Sequence, residues 1–384
     1  MSNGPRSVQP DPLELATGMM LGTNDVPRLK RAGNQRPIRE VLEGHVRRAL
    51  LMQPCMVSFS GGRDSSSILA LATHVARRDG LPDPVPVTLV FPDFPATHEE
   101  DWQRVVLDHL KLSEWIRLPF GQELDLVGPI AADVNRRLGM LFPSNTYVHE
   151  PILRVTSGGS LLTGIGGDEV LDSPGHPLFR TITGHRRARR SDLRSLPRLL
   201  APVRVRRAVD SRRPKRHGIT WLTAEAWSQV ARRQAEQQLP ERLSAALRSW
   251  PADRYYCALV DSFERLAAAH DVLFVSPFLQ LDSLASFATE AGAAGFRSRQ
   301  AALQQIVGDL LPAELLARTS KAVFDEAFSG RATESAINRW DGHGFPLELV
   351  DPVALRTAMT TGASATRWSL GLQWLLLNGN TSVE

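Results

Sequence analysis

The run Met56-Val57-Ser58-Phe59-Ser60-Gly61-Gly62-Arg63-Asp64-Ser65-Ser66-Ser67 constrains this chain more than any other stretch. A short apolar segment feeds a two-glycine turn. A helix pattern opens directly after it, with Ile68, Leu69, Ala72, Val75 and Ala76 on one face. Glycines let backbone amides come close to an anion, and a helix N-terminus adds the positive end of its dipole. Ser60, Ser65 and Ser66 supply hydroxyl donors beside it. The lysine of the Gly-Lys-Ser/Thr nucleotide loop is missing, which disfavours cleavage between β- and γ-phosphates in the usual manner. Asp64 beside an anion would be repulsive unless a cation intervenes; Mg²⁺ held by a carboxylate and phosphate oxygens resolves the conflict. The plainer alternative is an ordinary Ser/Gly strand-to-helix turn with an acid at its start.

The same alternation recurs along the chain. Pro37 to Met52 reads as a helix and Met56 to Ser60 as a strand. Val87 to Phe91 is strand-like and ends in Pro92-Asp93, His98 to Leu110 is helical, and Glu114 to Leu118 is a strand. Leu124 to Leu138 is another helix and Ser160 to Thr163 another strand. Short strands alternating with longer helices predict an α/β fold with a doubly wound parallel sheet. Such sheets bind ligands outside the carboxyl ends of their strands, here Ser60–Ser66, Phe91–Asp93 and Thr163–Glu169. Four segments follow: a loose N-terminal arm over 1–35, an α/β core over 36–180, an Arg-rich segment over 181–217 and a largely helical part over 218–384. Strand signals fade after Leu178, and no internal repeat is present.

A second glycine turn, Leu161-Leu162-Thr163-Gly164-Ile165-Gly166-Gly167-Asp168-Glu169, offers Asp168 as a second carboxylate for the same Mg²⁺. Taken alone it could be an acidic helix start. Together the two turns resemble a known family. Ser-Gly-Gly-x-Asp-Ser after a strand is similar to the pyrophosphate loop of the N-type ATP pyrophosphatases, whose sheet is of the adenine-nucleotide α-hydrolase type. The second turn resembles the Ser-Gly-x-Gly-x-Asp-Glu motif of asparagine synthetases, β-lactam synthetases and lasso-peptide cyclases, with Thr163 in place of Ser. Ser276-Pro277-Phe278-Leu279 and the run from Arg318 to Phe324 extend the likeness. His98 to Trp102 and Ser144 to Gly159 look most like the lasso-cyclase relatives.

The resemblance implies an ATP-dependent ligase that activates a carboxylate of a small molecule or peptide as an acyl-adenylate. An amine from the substrate, free ammonia or a partner then displaces AMP, with intramolecular ring closure as one form. It further implies that Ser60, Gly61, Gly62, Asp64, Ser65, Ser66 and Gly164 hold the pyrophosphate, with adenine near Leu89 and Phe91. Asp64 and Asp168 would bind Mg²⁺, and Lys321 would touch the acyl group and phosphates. Two positions depart from the pattern. Ile165 stands where asparagine synthetases have a glutamate, and Gln280 where the Pro-Phe-Leu run ends in Asp. Isoleucine cannot abstract a proton, so another base is required. Asp261 and Glu264 are the acids nearest in pattern; an ion pair with Arg265 is the competing reading. Position 2 is Ser2 rather than Cys and about fifty residues precede the loop, so glutamine hydrolysis is not expected here. A non-catalytic ATP-binding relative and a tRNA-modifying pyrophosphatase are the alternative functions.

The sequence pI of 9.4 is misleading as a sign of nucleic-acid affinity. Residues 185–217 carry twelve Arg and one Lys against two Asp, whereas the whole chain is only +4. The segment is a solvated loop, a dock for an acidic peptide or partner, or a nucleic-acid contact. The last is disfavoured because no aromatic residues interleave with the arginines and Trp221 lies outside the run. No stretch reaches the roughly 18 apolar residues of a membrane span, and Met1 to Asp11 shows no signal pattern. Cys55 and Cys257 give no disulfide framework, which predicts a reducing, cytoplasmic setting.

Overall fold

The computed structural model describes residues 8–26, 29–30, 36–171, 177–183, 187, 201–212, 214–237, 242–320 and 322–379. Its centre is one five-stranded, wholly parallel sheet. The strands are β1 (Cys55–Ser58), β2 (Val85–Val90), β3 (Ile116–Pro119), β4 (Ser160–Leu162) and β5 (Leu273–Val275), in the order β3-β2-β1-β4-β5. Met56 pairs with Val85 on one side and Leu161 on the other, and Leu161 pairs in turn with Phe274. Parallel strands covered on both faces read as continuous apolar runs; the central β1 and β4 follow that rule, whereas the edge strand β3 alternates, with Arg117 and Pro119 exposed. Cys55 and Val57 point into a cluster with Ile38, Leu42, Ile68 and Leu69, whereas Met56, Val87 and Leu161 join an opposite cluster with Ala131 and Val134.

The helices divide accordingly. After a short α1 (Pro12–Thr17), α2 (Ile38–Leu50), α3 (Arg63–Asp79) and α4 (Glu100–Leu110) bury their apolar stripes in the first cluster. α5 (Pro129–Leu138) and α6 (Glu150–Thr156) pack in the second, and α7 (Gly167–Leu171) follows β4. From β1 the chain winds outward to β3 and then returns to the far side of β1 through β4. The switch point, where open α/β sheets bind ligands, is therefore the crevice between β1 and β4.

Two expectations need correction, the end of the α/β unit and the looseness of residues 1–35. Leu273–Val275 is the edge strand that completes the sheet beside β4, so the α/β unit does not end at residue 180. Three residues between a helix and Ser276-Pro277 are too short to break a helical reading. The Arg-rich segment contains a helix, Val203–Asp210, while residues 188–200 lie outside the described residues. Nor is residues 1–35 loose throughout. Asp11 caps α1 in a reciprocal capping box with Glu14, and Leu13, Leu15, Ala16, Met20 and Leu21 are core residues. The Trp221 indole donates to the Ala16 carbonyl at 2.8 Å. Among the described residues, no helix is long and apolar enough to cross a membrane.

Glu14 anchors this N-terminal segment. Its side chain is 0% exposed, accepts two hydrogen bonds of 2.7 Å from Arg254, and receives the Leu21 amide at 2.8 Å. Removing one partner of a buried pair leaves the other charge uncompensated. Glu14→Ala should therefore cost about 3 kcal/mol, read as a lower urea midpoint at unchanged m-value. An unshifted midpoint would show that the segment does not contribute to the cooperative fold.

Candidate active site

Two strand ends and two glycine turns build the walls of a cavity of about 430 Å³ over the β1/β4 crevice. Past β1, Phe59 is still tied to β2 through its amide and the Val87 carbonyl at 2.8 Å. Ser60, Gly61 and Gly62 then turn the chain into α3. Gly62 caps α3 without any side-chain hydrogen bond, so the first-turn amides face the cavity uncovered by a capping side chain. The Ser60 and Ser65 hydroxyls lie 3.1 Å apart, and the Ser65 hydroxyl donates to the Gly62 carbonyl at 3.1 Å.

The turn is braced from behind by α4 and the Arg318 segment. Gln103 donates to the Ser60 carbonyl at 3.1 Å and Arg318 to the Gly61 carbonyl at 2.9 Å. Arg318 is itself paired with Glu99 and lies 4.9 Å over the Trp102 ring. The His98 to Trp102 run thus positions an arginine that positions the loop.

Beyond β4, the second turn presses directly on the first. The Thr163 amide donates to the Val275 carbonyl of β5 at 3.1 Å, which fixes where the turn begins. A Cβ on Gly164 would stand 2.8 Å from the Asp64 carbonyl carbon and the Ser65 nitrogen. One on Gly167 would stand 2.5 Å from Asp64 Cγ. Only glycine permits this approach, because real Cβ contacts do not come so close.

Asp64 and Asp168 consequently face one place, and a guanidinium joins them. Arg299 starts the helix Arg299–Val307, whose cap is Ser298 accepting from the Ala301 amide at 3.1 Å. Its side chain, only 9% exposed, bonds Asp168 Oδ1 at 2.5 Å and also pairs with Asp64 Oδ2. Burial pushes the Asp64 carboxyl upward, with Arg299 acting against it. Burial works against the Arg299 cation, yet the two carboxylates outweigh it and hold its pKa above the usual range. Asp64 Oδ1, Ser66 Oγ and Thr163 Oγ1 are buried here without a hydrogen-bond partner. Native interiors satisfy most such atoms, so their concentration around one crevice marks a ligand site.

The asparagine synthase family model matches residues 37–379. The chain belongs to the asparagine synthase family. No curated protein matches the chain. The chemistry of this family is ATP-dependent amidation, and ATP-binding and ligase character follow for this member.

Against that chemistry, the residues singled out in the sequence fall into distinct groups. Ser60, Gly62, Asp64, Ser65, Gly164 and Asp168 line the cavity, and Ser66 is fully buried beneath it. Gly61 contributes its carbonyl to the bracing just described. Leu89 and Phe91 are not on the wall. Phe91 is 1% exposed and meets Phe324 edge-on at 6.0 Å, and Phe324 is the ring that reaches the cavity. Lys321 lies outside the described residues; Ser320 and Ala322 on either side are wall residues.

Asp261 and Glu264 do not reach the cavity. Asp261 accepts from Arg265 at 2.9 Å and from the Val8 amide at 3.3 Å, and Glu264 is exposed. Four-residue spacing puts Asp261 and Arg265 on one helix face, and the ion pair takes that face away from the site. Gln280 is turned to the Ser276 carbonyl at 3.4 Å. The Ile165 side chain does line the cavity, while its carbonyl accepts from Ser276 at 2.5 Å.

Two residues were not visible in the sequence. Arg299 belongs to no motif, and only the Ser298 cap hinted at the helix it begins. His149 ends the short helical turn Thr146–His149, with its ring edge-on to Phe263 at 5.0 Å. Burial lowers its pKa to about 4, with the Thr146 backbone opposing, so the imidazole is neutral near pH 7.

For Mg²⁺, the donor set is two carboxylates. Among the described residues, no group of three or more His, Cys, Asp or Glu could hold a metal. A pair of acids suits Mg²⁺ that arrives with a nucleotide, since phosphate oxygens and water complete its shell. The partnerless Asp64 Oδ1 fits this as well. Asp64 and Asp168 are the residues that would hold the ion.

Proposed function

We propose that the protein is an AMP-forming carbon–nitrogen ligase that adenylates a peptide or small-molecule carboxylate and transfers the acyl group to an amine. The observation that carries this reading is the convergence of Asp64 and Asp168 on one cation at the β1/β4 switch point. A triphosphate opened between its α- and β-phosphates needs its pyrophosphate held and neutralised, and two acids with one Mg²⁺ do that. When bound, Mg²⁺ supplies charge neutralisation at the departing pyrophosphate.

The chain's own groups do the rest. The Ser60 and Ser65 hydroxyls and the amides at the start of α3 donate to the pyrophosphate. Phe324 and Ile165 give the cavity an apolar side that keeps water from the acyl-adenylate. Lys321, between two wall residues, neutralises charge developing at the acyl carbonyl.

In the second step a C–N bond forms, the C–O bond to AMP breaks with its electron pair, and the nitrogen sheds a proton. Among the described wall residues able to accept it, Asp64 and Asp168 are paired with Arg299, and Glu99 with Arg318. His149 lines the cavity without an ion pair; burial holds its pKa near 4, and the negative phosphates of a bound nucleotide would raise it, so we assign it as the proton acceptor in place of the acid missing at Ile165.

A peptide substrate with an acidic stretch would suit the arginines of the 185–217 segment, of which Arg204, Arg206 and Arg207 lie on the helix Val203–Asp210. Cys55 and Cys257 are both free thiols, which supports a reducing, cytoplasmic setting. Exchange of labelled pyrophosphate into ATP, dependent on an added carboxylate, tests the adenylation step. A total lack of exchange across amino acids and acidic peptides would favour the second reading, a non-catalytic ATP-binding relative, which Ile165 and Gln280 support.

A further inference from the structure

We infer that Arg299 is a resident counter-ion for the metal site, which Mg²⁺ displaces only when a nucleotide arrives to receive the guanidinium. The inference rests on the ATP-binding reading above and concerns how the metal gains entry.

Two carboxylates brought together repel unless a cation lies between them. In this chain the cation is part of the fold. Arg299 spans Asp168 Oδ1 at 2.5 Å and Asp64 Oδ2, from a side chain 9% exposed on the cavity wall. Mg²⁺ demands close oxygen ligands in near-octahedral geometry, and an ion reaching the free Asp64 Oδ1 would stand beside the guanidinium that already holds Asp64 Oδ2 and Asp168 Oδ1. Two cations confined between the same two acids would also repel each other.

Mg²⁺ alone must therefore compete with a covalently tethered ion and part a buried arginine from both aspartates, which is costly. A nucleotide changes the balance. Its phosphates offer the guanidinium fork a second anion, for which its planar donors are well matched. Arg299 then turns from the aspartates to the phosphates as Mg²⁺ takes its place. Metal and nucleotide are thereby coupled: each binds weakly alone and tightly together.

The experiment measures Mg²⁺ affinity by calorimetry and by thermal shift, with MgCl₂ alone and with α,β-methylene-ATP present. In the wild type, the analogue should tighten Mg²⁺ binding on the order of tenfold or more. Arg299→Met frees the two acids, so Mg²⁺ alone should bind about tenfold tighter than to the wild type, and the coupling should shrink. Arg299→Lys keeps a competing cation and should leave Mg²⁺ alone weak, which separates charge competition from general loosening.

Equal Mg²⁺ affinity with and without the analogue in the wild type overturns the inference, even if Arg299→Met does not fold. So does an unchanged metal affinity in Arg299→Met. If the wild type binds no analogue at all, the ATP-binding reading fails instead; if it binds analogue and metal independently, only the exchange role of Arg299 falls.

Discussion

Replacing Gly167 with alanine should lower pyrophosphate–ATP exchange at least about a hundredfold while leaving the fold intact. The new Cβ would sit 2.5 Å from Asp64 Cγ and 2.6 Å from its Oδ2, so the carboxylate must move. It cannot do so freely, because Arg299 holds it and the Gly164 turn crowds its backbone. A displacement near 1 Å at a positioning group is enough for an effect of this size. Relieving that overlap should cost about 1–3 kcal/mol, partly offset by alanine's helix preference at the start of α7, which leaves the protein folded. Gly44→Ala in α2 is the control, since its Cβ meets nothing within 4 Å and activity should stay unchanged. Exchange within a few-fold of wild type in Gly167→Ala would mean that Asp64 works from another position than the one described.

The second large effect concerns His149. With a carboxylate that the wild type converts to its amide, His149→Asn should slow aminolysis by ammonia about a hundredfold or more, the usual worth of a general base. Pyrophosphate–ATP exchange should stay within a few-fold, because the first step releases no proton. Loss of both steps together would show that the ring supports the cavity rather than receiving a proton. The same residue makes an acid-stability prediction. Its folded pKa of about 4 lies below the ordinary 6.5, so the unfolded chain binds the proton first as pH falls. Stability should decline from about pH 6.5 toward pH 4, and His149→Asn should flatten that decline.

The parts of the site that were legible in the sequence are those where local chemistry and tertiary role coincide. A strand, two glycines and a hydroxyl-rich helix start can be read from a dozen residues, and both turns read this way meet at one cavity. Arg299 could not be read, because it reaches its acids across 131 and 235 positions and carries no local signal beyond a serine cap. Phe91 was legible as the end of a strand but not as buried; Phe324, brought over it from the far end of the chain, took its place at the wall. Asp261 shows the converse, a candidate suggested by family resemblance and held instead by an arginine one helical turn away. β5 escaped because three residues are too few to establish an alternating pattern, although β4 and the turn after it depend on its carbonyls.

The family match begins at residue 37, yet the hydrophobic core does not. An expression clone trimmed to that start would delete Leu13, Leu15, Ala16, Met20 and Leu21 and strand Arg254, whose carboxylate partner is Glu14. The helix Ala365–Leu377, against which α1 packs, would show an apolar trough to water. Such a product should aggregate even with every nucleotide-binding residue present, so boundaries for recombinant work belong upstream of Pro10.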